Sequence, residues 1–308
     1  MLITLVLRRL IALPVTLLGV ATAVFVVMRI LPGDPVENIL AEAGASPAVV
    51  MEWRQRYGLA EPLPVQYWYF LRAISRGDLG RSISTGRPVV EMIFEQMPST
   101  VVLALSSLAF AAGLGGGMGL LAARHPGTWV DGVTRLLTVA TVSLPTYWTG
   151  IMAIRLFSAG LHWLPASGQG SWQHLVLPTL TLGTASMGAV ARLVRASVLE
   201  VAAQPYVQLA RAKGLPGRIL VHRHILPAAA TPILTFLGVQ AGFLLAGTAI
   251  TETVFSRRGV GQLLVDAVVG KDYPLAQGCI LLAACTYILA NTISDLLVAA
   301  IDPRVRAG

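Results

Sequence analysis

Catalysis requires residues that can hold a proton, a metal, a phosphate or a nucleophile, and this chain groups few of them usefully. It has two lysines, Lys213 followed by Gly214 and Lys271 followed by Asp272. A Gly-Lys-Ser or Gly-Lys-Thr phosphate loop is therefore absent, and ATP cannot be held by that route. Neither a His-Glu-x-x-His metal motif nor a Gly-x-Ser-x-Gly nucleophile elbow occurs. Of five histidines only His222 and His224 are close, alternating beside Arg223, a pattern that reads as a solvated or interface face. Cys279 and Cys285, six apart on one helix, sit about 240° apart around its axis and read as packing residues.

What remains is the chemistry of a grip. Tyr206, Leu209, Ala210 and Lys213 fall at i, i+3, i+4 and i+7, one stripe of a helix, and Gly214 can take the left-handed conformation that stops it. Such a short helix suits insertion into a partner's groove, or rest on anionic lipid headgroups.

The elements that carry this segment are dictated by composition. Of 308 residues 55% are hydrophobic and 12% charged, about half the ~25% of a soluble domain. The mean hydropathy is +0.70, yet the net charge is +8 with a pI near 10.1. A soluble enzyme and a disordered chain are excluded, and 23 basic residues are too few for a nucleic-acid-binding domain. Six apolar runs can each cross ~30 Å of hydrocarbon. They are Leu10 to Leu31, Ser99 to Ala123, and runs centred on Leu136 to Ile154, Leu175 to Ala191, Ile225 to Thr251 and Tyr273 to Ser294. Transmembrane strands would alternate in polarity, and these runs do not.

With the N-terminus inside, the inner segments hold twelve basic residues against three acidic ones, a net +9, and the outer segments a net −2. The positive-inside rule then places both termini in the cytoplasm. Six of the twelve lie in or beside the segment from Glu200 to Pro227. Arg8, Arg9 and Ala21-Thr22-Ala23 mimic a signal peptide, but the apolar run continues through Val24 to Val27, as in an uncleaved anchor.

Ionisable groups in the spans are peripheral, unlike those of a proton-coupled carrier. Arg29 and Arg155 can snorkel at outer ends, and Asp295 follows Asn291 by four residues near the inner end of the last span. Gly113, Gly115, Gly116, Gly117 and Gly119 contain two overlapping GxxxG spacings for close helix packing. Pro145 should bend the third span. The outer segment carries Trp53, Tyr57, Tyr67, Trp68, Tyr69 and Phe70, suited to seating at the membrane boundary, with docking of an external binding protein as the alternative.

The segment Tyr206-Val-Gln-Leu-Ala-Arg-Ala-Lys-Gly214-Leu215 with Leu226-Pro227 resembles the EAA loop of permease subunits in ATP-binding-cassette (ABC) importers. Gly214 and the Leu-Pro pair match. Gln208-Leu209-Ala210 replaces Glu-Ala-Ala and His224 stands at the isoleucine position, departures that resemble the dipeptide and oligopeptide permease branch; Ala228 is a mismatch where the family often has an asparagine. Further matches are Leu31-Pro32-Gly33-Asp34-Pro35, Gly77-Asp78-Leu79-Gly80 with Ser82, and Leu164 to Gly168. Glu252-Thr253-Val254-Phe255 with Gly259 and Gly261, Asp272-Tyr273-Pro274 with Gln277-Gly278, and Asp302-Pro303-Arg304-Val305-Arg306 continue the order.

This resemblance implies an all-α integral membrane protein of six transmembrane helices with the type I ABC-importer permease fold, in a bacterial or archaeal plasma membrane. Its division would be 1–31 (tail and first span), 32–98 (extracytoplasmic segment), 99–300 (five-helix core with a coupling loop at 195–226) and 301–308 (cytoplasmic tail). The coupling residues would be Tyr206, Leu209, Ala210, Arg211, Ala212, Lys213, Gly214 and Leu215. The implied partners are a homologous second permease, two cytoplasmic ATP-binding subunits, an extracytoplasmic substrate-binding protein and membrane lipid, with no nucleic acid. This chain would catalyse nothing and hold no cofactor, ATP and magnesium being used by the partner subunits. Dipeptides or oligopeptides are the expected cargo, with nickel complexes, glutathione or haem as alternatives within the family. A stand-alone channel or secondary carrier is the alternative from another class.

Overall fold

A computed structural model describes residues 2–30, 36 and 46–301, with 2–12, 56, 295 and 297–301 as backbone only. The side chains of Arg8, Arg9 and Asp295, the Leu31–Pro35 and Asp302–Arg306 matches and the tail after Ile301 lie outside the described residues. Among the described residues the elements are helices, with one isolated bridge between Arg81 and Pro88.

In chain order these are α1 (Leu2–Ile30), α2 (Pro47–Arg56), α3 (Leu63–Ile74), α4 (Val89–Arg124), α5 (Trp129–Ser143), α6 (Thr146–Gly160), α7 (Gln173–Ala202), α8 (Pro205–Ala212), α9 (Gly217–Val254), α10 (Val260–Val269) and α11 (Tyr273–Ile301). Five of them, α1, α4, α7, α9 and α11, are long and apolar enough to cross a membrane unbroken. The bent pair α5 and α6, meeting at 101°, brings the number to six when it is counted as one span. A single bent helix from Leu136 to Ile154 was the expectation; two helices are the finding. The cause is local, because Pro145 forces the residue before it out of the helical region. Leu144 accordingly takes φ −83° and ψ 129°, and Pro145, with ψ 134°, precedes a new helix.

Helix α7 is the hub, with more than half of it buried, and α4, α5, α6 and α9 all pack on it. In lipid no hydrophobic force joins helices, so close van der Waals contact must do so, and small residues permit it. A Cβ on Gly115 would stand 2.6 Å from the Met187 carbonyl oxygen, and one on Gly119 would overlap the Ala191 carbonyl. The reverse holds for Gly188 of α7, whose Cβ would strike Thr138 and Thr141 of α5. Only one of the two GxxxG spacings is used in this way. Gly113, Gly116 and Gly117 face open space.

On the outer side α4 starts at Val89, ten residues before the expected Ser99. Its extra turns bury Val89 and Ile93 in a core with Val24 and Met28 of α1, Val260 and Ala267 of α10, and Ala276 and Cys279 of α11. Cys279 is fully buried there, in keeping with a packing role, and both cysteines are free thiols.

Candidate functional site

The cytoplasmic segment is mostly helix. The loop expected over 195–226 contracts, because α7 runs on to Ala202 and α9 begins at Gly217. His222, Arg223 and His224 therefore lie on a helix, in a π-type stretch at Leu220–Ile225, and not in a loop.

Between the two spans sits α8. Gln204 is extended (ψ 143°), and Pro205 occupies the first helical position, where its missing N–H costs nothing. The other end closes by a paired carbonyl capture. The Leu215 N–H donates to the Ala210 carbonyl at 3.3 Å and the Gly214 N–H to the Arg211 carbonyl at 3.0 Å, with Gly214 at φ +80°. This is the Schellman arrangement, and it needs a left-handed residue where the glycine stands.

One face of α8 holds it in place. Val207 is fully buried in a cluster with Val198 of α7 and Leu220 of α9, and Ala210 packs against that cluster. The Gln208 side-chain amide donates to the Ala202 carbonyl at 2.9 Å. The opposite face stays free: Tyr206 is 48% exposed and Leu209 57%, with Arg211, Ala212 and Lys213 also exposed. Of the stripe read from spacing, Ala210 thus turns partly inward. Val207, the anchor, is legible only as an apolar partner of Ala210 at i, i+3. The helix thus presents an exposed apolar pair with the cations Arg211 and Lys213 beside it.

A buried ion pair braces the same side. Asp131, at the start of α5, is 1% exposed and receives Arg195 of α7 in a fork, Nε to Oδ1 at 2.6 Å and Nη2 to Oδ2 at 2.9 Å. The Gly127 N–H adds a bond at 3.1 Å, and Arg135 stands 3.5 Å away. Counting charges treats these groups as loop residues; the fold makes them a clamp between α5 and α7.

Outside, two carboxylates collect the scattered motif residues. Glu252, fully buried at the end of α9, accepts from Thr100 Oγ1 at 2.7 Å and from the Gln262 N–H in the first turn of α10 at 3.0 Å. Gly259 and Gly261 leave room for that carboxylate, which a Cβ on either would invade. Arg257 is 7% exposed beside it; burial lowers the guanidinium pKa, and the Glu252 charge opposes this. Asp272, 1% exposed, accepts from Ser82 Oγ at 2.6 Å and from Ser84 Oγ at 2.9 Å, and caps α11 through the Leu275 N–H at 3.3 Å. The Gly77–Ser82 and Asp272–Gly278 motifs are thereby two halves of one joint. Among the described residues, no group of three His, Cys, Asp or Glu side chains is placed to hold a metal.

This helical arrangement has counterparts among known proteins. The profile of the family described as binding-protein-dependent transport system inner membrane component matches residues 115–307, and that of its N-terminal membrane component matches residues 1–104. The chain belongs to this family. The permease is 40% identical over 301 residues to the glutathione transport system permease protein GsiC of Salmonella choleraesuis (strain SC-B67), covering 98% of both chains. The GsiC protein of Escherichia coli (strain K12) is 39% identical over the same length and coverage. Among solved structures, the inward-facing MetNI methionine ABC transporter superposes with a TM-score of 0.58 at 18% identity, over 69% of this chain and 97% of that one. An amino acid ABC transporter crystallised with histidines superposes with a TM-score of 0.54 at 16% identity, over 70% and 94%. These two establish the type I permease fold. The permease is thus a multi-pass inner-membrane subunit of an ABC importer, a family that works with a partner ATPase and a substrate-binding protein.

Proposed function

We propose that this permease forms, with a homologous second permease, the membrane pathway of an importer of short peptides, and that glutathione is its cargo. The identity of 40% across 98% of both chains to glutathione permeases carries this reading. The motifs point to dipeptides or oligopeptides with glutathione among the alternatives, and the likeness to glutathione permeases favours glutathione. Glutathione is itself a tripeptide, so the chemical class of cargo is retained.

In the proposed mechanism one of two cytoplasmic ATPases grips Tyr206 and Leu209, the exposed apolar pair of α8. ATP-driven closure of the ATPases moves α8, and Val207 passes that movement to the inner ends of α7 and α9. The spans then open the pathway to one side and afterwards to the other. Arg211, Ala212, Lys213, Gly214 and Leu215 shape the end of the helix that is gripped and take part in no bond-making.

Uptake of radiolabelled glutathione and of a labelled dipeptide, measured in cells with and without the permease, tests the cargo. Glutathione uptake that depends on the permease and on ATP supports it. Dipeptide uptake alone would return the cargo to the other branch.

A further inference from the structure

At the outer end of α1 a cavity of about 210 Å³ opens between α1, the α2–α3 segment and the start of α11. Its polar lining is incompletely used. Arg29 Nε donates to Gln66 Oε1 at 2.9 Å, and the guanidinium lies between the Phe25 and Tyr273 rings, 4.8 and 5.2 Å from their centres. The Gln66 amide is spent on the Glu61 and Leu59 carbonyls. Arg29 Nη1 is buried with no hydrogen-bond partner, and so is Nε2 of Gln277, a residue 6% exposed. Among the described residues no carboxylate pairs with Arg29. Asp78 lines the same cavity at its exposed mouth, with one oxygen accepting from the Gly80 N–H at 2.8 Å. A snorkelling arginine would reach water. This one is held under aromatic rings with an unanswered donor, and a buried donor left without a partner is costly.

Directly below lies a groove of about 420 Å³, lined almost wholly by apolar side chains. Pro14, Leu17, Leu18 and Ala21 form its α1 wall at helical spacing, and Leu282 and Cys285 its α11 wall. Ile74, Leu79 and Leu281 line both the cavity and the groove, so the two are continuous. From Arg29 to Pro14 the helix descends about 22 Å, the reach of an acyl chain from headgroup level into the hydrocarbon.

We propose that cavity and groove form one site for a zwitterionic glycerophospholipid of the outer leaflet. Its phosphate takes the free donors of Arg29 and Gln277, its ammonium faces Asp78, and an acyl chain lies along α1 and α11. A free zwitterion would satisfy the polar end and leave the groove empty. The acyl chain is what selects a lipid.

The test uses the intact importer, reconstituted in nanodiscs of equal parts phosphatidylethanolamine and phosphatidylglycerol, then released into mild detergent for native mass spectrometry. One phosphatidylethanolamine is expected to stay with each copy of this chain. Arg29→Gln and Gln277→Leu are each expected to lower its retention about tenfold, the effect of one lost buried or charge-assisted hydrogen bond. Leu18→Trp fills the groove without touching the polar end and is expected to lower retention too, which covers polar variants that fail to assemble. Glycerophosphoethanolamine, the headgroup without chains, is expected not to displace the lipid. Unchanged retention in Arg29→Gln and Leu18→Trp, displacement by the headgroup alone, or preference for phosphatidylglycerol would overturn the proposal. So would density for water or for a partner's chain in the cavity.

Discussion

Glu252 and Thr100 stand 152 residues apart in the chain and share a buried hydrogen bond of 2.7 Å. The same hydroxyl oxygen accepts the Val260 N–H at 2.8 Å, so Thr100 joins α4 to both the end of α9 and the start of α10. Replacing Thr100 with Val keeps the shape and removes both bonds. It leaves a carboxylate oxygen and a backbone N–H short of a partner, at a cost of about 1–3 kcal/mol for each buried group left unsatisfied. The thermal midpoint of the purified complex should fall, while Thr100→Ser should stay close to wild type. A Thr100→Val complex that melts with the parent would show that the joint carries no stability.

The clamp between Asp131 and Arg195 lends itself to a double-mutant cycle. Arg195→Met strands a buried carboxylate, and Asp131→Asn weakens the fork, so each single variant should lose thermal stability. The double variant should lose less than the two losses added together, because partners in one bonded pair do not act independently. Strict additivity in the melting data would show that the two groups are not coupled.

Gly214 has no atom within 4 Å of a built Cβ, so any effect of a side chain there comes from its φ of +80° and not from a clash. Asn tolerates the left-handed region, whereas a β-branched residue is strained there by about 1–3 kcal/mol. Gly214→Asn should therefore keep transport and ATPase association, and Gly214→Val should lose both, as read by uptake and co-purification. Full transport by Gly214→Val would remove α8 from its proposed role.

The glycines of α4 divide by phase. Gly119→Val should push α4 from α7 and destabilise the permease by about 1–3 kcal/mol, the usual cost of overpacking. Gly117→Val, two residues away and about 200° around the helix, faces open space and should leave the melting temperature of the isolated subunit unchanged. Equal effects at the two positions would mean that α4 and α7 are packed in another register.

Much of this was legible in the residues because the signals are local. A run of some twenty apolar residues crosses a bilayer wherever it sits, and lysines and arginines stay on the side where they were made. The stop of α8 needed only Gly214 and the stripe before it. Pro145 predicts a bend, since proline acts on its own neighbours, but the 101° between α5 and α6 depends on what each half packs against.

What only the tertiary structure decided are the pairings across distance. Glu252 and Asp131 enter a charge count as loop acids, yet both are buried, because Thr100 and Arg195 are delivered by other spans. Two GxxxG spacings look equivalent in one dimension, and the rotation of α4 against α7 chose Gly115 and Gly119. Arg29 looked free to snorkel until α3 and α11 closed over it and left its donor facing a cavity. Hydropathy and backbone preference are properties of a segment and can be read from it. Partners for a buried charge belong to the packed whole, where burial raises the cost of leaving any of them out.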